Sequence, residues 1–364
     1  MASLRAHICC LLSYATFLSL ISCDTLRENH VALFIFGDSL FDPGNNNYIN
    51  TTANYQANFW PYGETFFNHP TGRFSDGRII PDFIAEYAGL PLIPAYMQPD
   101  NKNFIDGVNF ASGGAGALIE THQGYVIGLK TQVSYFKKVK KSLQQELGDA
   151  KAHKLLSRAV YLISIGTNDY LFPFSRNSSV RQSYLEEEFV AMVIGNMTIS
   201  IKEIYKKGGR KFGFVNLMPL GCLPSMRANL GRRGSCVDEL TKLAQLHNKA
   251  LVVALQNLKN QLGGFKYSCH NFYESVSKRL SKPSKYGFEE GKTACCGSGP
   301  YRGILSCGGK RGIKEYQLCE NVSEHLFFDS VHPTEKASQQ IAELMWTGTV
   351  NITRPYNLRA LFEA

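Results

Sequence analysis

The sequence predicts an α/β fold built on a mostly parallel sheet, on three observations. Short, almost wholly apolar runs recur along the chain, as strands buried on both faces require. Long helix-patterned segments separate them, which parallel strands need for their crossovers. Polar, glycine-bearing segments follow the ends of the runs, and in open α/β sheets that edge is where sites form.

Taken in order, Val31–Phe36 is an apolar run that stops at Gly37-Asp38-Ser39, a strand followed by a tight turn. Residues 42–77 carry Asn45-Asn46-Asn47, Pro61 and Pro70 and are expected to be loop. Arg78–Tyr87 is helical in pattern. Residues 89–128 return to loop composition, with glycines at 113, 114 and 116. Leu129–Leu147 is expected to be a helix with lysines on one face. Ala159–Ile165 is a second buried strand, ending at Gly166-Thr167-Asn168-Asp169. A long helix is expected over Tyr184–Lys207, stopped by Gly208-Gly209. Lys211–Asn216 reads as the third strand, Val237–Leu262 as another long helix, and Phe265–Phe272 as the fourth strand. Residues 283–322 form a cysteine-rich loop. Leu326–Phe328 ends at Asp329, and Pro333–Trp346 is expected to be the last helix, with Pro333 in its first turn and His332 at a rigid helix start. No composition break or linker divides residues 24–364, so one domain is expected.

The chain has 364 residues, 44% of them hydrophobic and 19% charged, which excludes a disordered chain. Its formal net charge of +9 is not gathered into long basic runs, so a nucleic-acid partner is not expected. Residues 1–23 fit a secretory leader: Arg5, an apolar stretch from Ile8 to Ile21, then the small residues Ser22 and Cys23. That stretch is short for a spanning helix, and no later run is longer, so no transmembrane anchor is expected. Asn-x-Ser/Thr sequons at Asn50, Asn177, Asn196, Asn321 and Asn351 suit a glycosylated, extracellular protein. Beyond the leader lie Cys222, Cys236, Cys269, Cys295, Cys296, Cys307 and Cys319. Adjacent Cys295-Cys296 and the lack of a C-x₂-C knuckle argue for disulfides rather than zinc. Spacing predicts Cys222–Cys236, two bridges among Cys295, Cys296, Cys307 and Cys319 in an order left open, and a buried free thiol at Cys269.

Several chemistries are excluded by what is missing. There is no G-x-S-x-G elbow and no H-E-x-x-H. Gly287–Thr293 has one residue too few between its glycines for a phosphate loop. No metal or cofactor is expected.

Four short motifs remain, in a fixed order: Phe36-Gly-Asp-Ser-Leu40, Asn109-Phe-Ala-Ser-Gly-Gly-Ala-Gly116, Gly166-Thr-Asn-Asp169 and Asp329-Ser-Val-His332. Each alone reads as a turn, a loop or a cap. In this order they resemble the GDSL esterase/lipase family of the SGNH hydrolase superfamily, over nearly the whole mature chain. Gly37–Tyr48, Gly72–Arg78, Gly221–Pro224 and Ala294–Gly297 resemble its plant branch.

The resemblance implies a flavodoxin-like three-layer α/β/α sandwich and an esterase/lipase acting on small-molecule or lipid esters. It implies Ser39 as nucleophile, His332 as base and Asp329 as the acid that holds the base's tautomer. Acyl transfer also needs donors for a developing oxyanion. The resemblance supplies the Ser39 N–H, the Gly114 N–H (with Gly113 the near alternative) and the Asn168 side-chain amide. Asp38 and Asp169 are expected to fix their loops by accepting backbone N–H groups. His69, His122, His153, His247, His270 and His325 are expected to have surface or packing roles. The aromatic residues Phe41, Tyr48, Phe59, Trp60, Tyr62, Phe66 and Phe67 either pack their loop or line an acyl pocket. The same acyl-enzyme would serve an acyltransferase with an alcohol acceptor. A catalytically silent defence or binding protein on this scaffold is the reading from another class, and the intact motifs argue against it.

Overall fold

A computed structural model describes residues 30–101, 103–175 and 185–364. The expected leader, Cys9, Cys10, Cys23 and the sequon at Asn177 lie outside them.

Strands β1 (Leu33–Gly37), β2 (Gly107–Asn109), β3 (Val160–Ser164), β4 (Lys211–Val215), β5 (Lys266–His270) and β8 (Thr353–Pro355) form one sheet in the order β2-β1-β3-β4-β5-β8. The first five are parallel in the flavodoxin-like order 2-1-3-4-5, and β8 adds an antiparallel edge. Strands β6 (Cys296–Gly297) and β7 (Gln317–Leu318) make a separate small ribbon. The helices of the described residues are α1 (Ile80–Tyr87), α2 (Leu129–Leu147), α3 (Asp149–Arg158), α4 (Thr167–Ser175), α5 (Glu186–Lys206), α6 (Pro224–Asn229), α7 (Asp238–Gln261), α8 (Phe272–Ser281), α9 (Glu335–Thr347) and α10 (Leu358–Glu363).

Strand alternation explains the layers. On one face Phe34 and Tyr161 stack, Tyr161 stacks on Phe212, and Phe136 of α2 meets Phe34 edge-on. On the other face Gly213 has no side chain because a Cβ there would lie 2.7 Å from Leu358 of α10 and 2.9 Å from Leu162. Helices α3, α2, α5 and α7 pack in that spatial order, as do α1, α9 and α10. The rings of Phe34, Phe136, Tyr161 and Phe212 are fully buried, each stabilising the fold by about 1.5–3 kcal/mol.

Register positions the site. Ile35 pairs with Asn109 and Gly37 with Ser164, so the segments leaving β1, β2 and β3 emerge together at the carboxyl edge. Strand β1 lies between β2 and β3, which is where the strand order reverses.

Some expectations need correction. The fourth strand stops at His270, and Phe272 opens α8 because the Asn271 side chain accepts the Glu274 N–H as an N-cap. The helix after the last motif starts at Glu335, not Pro333: Thr334 is its N-cap, accepting the Ala337 N–H. Pro333 instead pairs across a bridge with Phe327, and His332 lies between the bend at 328–331 and that bridge. That helix is also not the last, since β8 and α10 follow. Three-residue strands such as β2 and β8 are too short to leave a periodic signal. Disulfides join Cys222–Cys236, Cys295–Cys319 and Cys296–Cys307, while Cys269 is free and buried in β5.

Candidate active site

Strand β1 ends at Gly37, and the turn after it is built to hold one conformation. The buried Gln132 side chain accepts the Gly37 N–H (2.9 Å) and donates to the Gly37 carbonyl (2.8 Å). A Cβ at Gly37 would lie 2.3 Å from the Ser164 carbonyl oxygen, so only glycine lets β1 and β3 approach here. The Asp38 N–H donates to that carbonyl (3.1 Å), and Asp38 Oδ1 accepts the Leu40 N–H (3.1 Å). Ser39, between them, presents its hydroxyl to His332.

Ser39 Oγ lies 2.7 Å from His332 Nε2. His332 Nδ1 lies 2.8 Å from Asp329 Oδ1 and 2.9 Å from Oδ2. Asp329 Oδ1 also accepts the N–H groups of Val331 (2.9 Å) and His332 (2.8 Å), a local turn that holds the ring above its acid. Because a carboxylate only accepts, Nδ1 carries the proton and Nε2 is left to accept from Ser39. Burial pushes the Asp329 carboxyl up, but His332, the Arg311 charge and the Tyr62 hydroxyl outweigh it. The net position is well below the usual carboxylate range. Such an arrangement can activate a hydroxyl through a base held by an orienting acid.

Residues 112–115 run between this turn and Asn168. The Ser112 N–H donates to the Gly37 carbonyl (3.1 Å), and Asn168 Nδ2 donates to the Ala115 carbonyl (2.9 Å). Gly113 and Gly114 differ in what their N–H groups do. The Gly113 N–H is taken by Asp42 Oδ2 (2.8 Å). The Gly113 carbonyl accepts from Asn46 Nδ2 (2.9 Å), which turns the same peptide's other end, the Gly114 N–H, away from Asn46. Neither the Gly114 nor the Ser39 N–H has a protein acceptor among the described residues. Gly114 sits at φ 84°, and a Cβ there would lie 2.5 Å from the Tyr55 ring. His122 Nδ1 lies 2.7 Å from the Gly114 carbonyl, so this histidine packs beside the site. His247 and His270 are buried, both pushed down to about 3 by burial, and His69 and His153 are exposed.

Asp169 accepts the N–H groups of Ala117 and Leu118 (both 2.9 Å) and the Thr121 hydroxyl (2.7 Å), fixing the glycine loop. Asp38, Asp42 and Asp169 are all buried beside the Ser39 turn. Burial, with the Asp169 charge adding to it, raises the Asp38 carboxyl to about 7 against the Leu40 N–H that lowers it. The sign for stability follows. Below its ordinary value of 3.8 Asp38 is protonated whether folded or not; between there and about 7 only the unfolded chain ionises, so stability falls as pH rises. Asp38→Asn is therefore expected to gain stability relative to the parent between about pH 4.5 and about pH 7.5. Unfolding midpoints of both proteins across that range check it, and a constant difference would contradict it.

Residue chemistry alone missed four buried contributors, Gln132, Asp42, Asn46 and Arg311, and the part played by Tyr62. Tyr62 Oη donates to Asp329 Oδ2 (2.7 Å), so Tyr62 neither lines a pocket nor merely packs its loop. Phe41 and Phe59 pack inward, whereas Tyr48, Trp60 and Phe66 are exposed. The one legible signal was Asp42 and Asn46, which stand inside the quoted Gly37–Tyr48 stretch.

Residues 33–345 match the profile of the GDSL-like lipase/acylhydrolase family. GDSL esterase/lipase 1 of Arabidopsis thaliana is 55% identical over 361 residues, 97% of this chain and 96% of its own length. The GDSL lipase of Tanacetum cinerariifolium is 55% identical over 336 residues, 92% of this chain and 89% of its own. Inactive GDSL esterase/lipase-like protein 25 of Arabidopsis thaliana is 37% identical over 329 residues, 90% of this chain and 74% of its own. With the family's four motifs gathered at one sheet edge and a match over most of its length, the chain belongs to the GDSL-like lipase/acylhydrolase family.

Proposed function

We propose that this protein hydrolyses carboxylic esters through an acyl-enzyme on Ser39. His332 is the general base and Asp329 the acid that orients it. The oxyanion hole consists of the Ser39 and Gly114 N–H groups and the Asn168 amide. The observation that carries the reading is the continuous contact Ser39 Oγ–His332 Nε2 (2.7 Å) and His332 Nδ1–Asp329 Oδ1 (2.8 Å).

Ser39 Oγ attacks the ester carbonyl and its proton passes to His332 Nε2. The carbonyl oxygen becomes an oxyanion within reach of donors that have no better partner. Collapse breaks the bond to the alcohol, which leaves with the proton from His332. Water then attacks the acyl-enzyme and gives His332 Nε2 a proton; collapse releases the acid, and Ser39 Oγ takes that proton back.

We infer in addition that the protein is secreted and glycosylated, with residues 1–23 as its leader. Three disulfides support an oxidising compartment. Asn50, Asn321 and Asn351 are exposed, and Asn196 is half-buried within α5. Among the described residues no helix is long and apolar enough to cross a membrane.

One relative carries the word inactive in its name, so the first test is covalent. Protein recovered from the medium of expressing plant cells should start near Asp24 and take one fluorophosphonate adduct, on Ser39. It should then turn over acyl esters of graded chain length in water. Absence of the Ser39 adduct in folded protein would sink the acyl-enzyme.

A further inference from the structure

Beside the main core lies a smaller one, in which Phe59, Tyr62, Phe74 and Phe328 pack against the cysteines at 295, 296 and 307. Its polar groups form one connected chain. Arg311 is 3% exposed. Its guanidinium donates to Tyr62 Oη (3.1 Å), Cys307 O (3.1 Å), Gln56 O (2.9 Å) and Ala53 O (3.1 Å). None of these four acceptors carries a charge. A buried cation among neutral acceptors is costly unless an anion is near. The anion on this network is Asp329, one side chain further on through Tyr62 (2.7 Å).

The direction of the chain is fixed by chemistry. A guanidinium only donates and a carboxylate only accepts, so Arg311 donates to Tyr62 and Tyr62 donates to Asp329. The two ends are also tied together through a disulfide and the hydrogen bonds at either side of it. The N–H groups of Cys295 and Cys296 donate to Phe327 O (2.9 Å) and Phe328 O (2.7 Å), the residues that lead into Asp329. Cys296 is bridged to Cys307, whose carbonyl holds Arg311.

We propose that Tyr62 and Arg311 are positioning residues of the catalytic apparatus, which hold Asp329 oriented and ionised and restrain how tightly His332 keeps a proton. The inference rests on the Ser39–His332–Asp329 reading. A positive charge beyond Asp329 disfavours the imidazolium; without it the base is freed only at higher pH. Removing the Tyr62 hydroxyl concentrates negative charge on Asp329 and acts with the same sign. Other charges around the site lie on the nucleophile loop (Asp38, Asp42), on α4 (Asp169), on the 64–78 loop (Glu64, Arg73, Asp76, Arg78), on α1 (Asp82) and on α9 (Glu335). They are common to every variant and cancel in the comparison.

The test is the pH profile of kcat/KM for a short-chain aryl ester in the parent, Tyr62→Phe, Arg311→Met and Arg311→Lys. Each is normalised to Ser39 titrated with a fluorophosphonate. Tyr62→Phe keeps the ring that packs 5.3 Å from Phe328 and 5.5 Å from Phe59. The acid limb should move up by roughly half to one pH unit in Tyr62→Phe and Arg311→Met, the size expected of one charge acting over a few side chains. Arg311→Lys, which keeps the charge, should lie nearer the parent than Arg311→Met. If Arg311→Met does not fold, Tyr62→Phe decides by itself. Superimposable acid limbs in titrated enzyme would overturn the proposal and leave the triad standing. Failure of the parent to label at Ser39 would instead remove the triad reading.

Discussion

Ser39→Ala is expected to lower kcat on the order of 10⁶-fold, the scale of losing a nucleophile from a group that acts as a unit. The hydroxyl is half-exposed and its side-chain hydrogen bond goes to His332, so the fold should survive with a loss of about 1 kcal/mol. His332→Ala should cost as much activity, because Ser39 Oγ then has no acceptor for its proton at neutral pH. The double variant should be about as slow as either single one, since a nucleophile without a base and a base without a nucleophile are equally idle. Single-turnover rates on one ester, with thermal unfolding beside them, check all three. A double variant far slower than both singles would mean that the two residues act independently.

Asn168→Ala is expected to lower kcat by about 10²–10³-fold, or about 2.7–4 kcal/mol, with KM little changed. One amide proton of Asn168 is committed to the Ala115 carbonyl (2.9 Å), and the other has no protein acceptor among the described residues. A donor held rigidly by its first hydrogen bond costs no reorganisation when charge develops, so it favours the transition state over the bound ester. Asn168→Asp should be worse than Ala, because a carboxylate would face the oxyanion. A purely structural Asn168 would give a lower melting temperature and an unchanged kcat. The measurement is kcat per titrated Ser39, and a tenfold or smaller loss in folded Asn168→Ala would rule out the role.

Four of the five parallel strands were legible because each is a short, mostly apolar run bounded by glycine or charge; β2, three residues inside the expected loop, was not. The run ending at Gly37 became Leu33–Gly37, and the run ending at Gly166 became Val160–Ser164. Helix α2 was legible to its termini, because glycines bound a strongly amphipathic segment. The start of α9 was not. Proline suits a first turn, but pairing of Phe327 with Pro333 holds that residue in extended backbone, and the cap moves to Thr334. Helix α8 was missed because Phe272 was read as continuing β5, although its cap is local: Asn271 accepts the Glu274 N–H three residues on.

By itself the sequence determined the sheet's parallel core, the motif order and the residue types that acyl chemistry needs, since these are written in local pattern and in side-chain chemistry. It also determined that Cys269, inside an apolar run, would stay unpaired. Only the tertiary structure decided which glycine leaves its N–H free, because that depends on Asp42 and Asn46 reaching a loop 71 and 67 residues away. Only it decided that Tyr62 and Arg311 stand behind Asp329. Tyr62 is 267 residues from Asp329 and 249 from Arg311, and no period or spacing records a contact made by folding a disulfide-bonded lobe against the sheet.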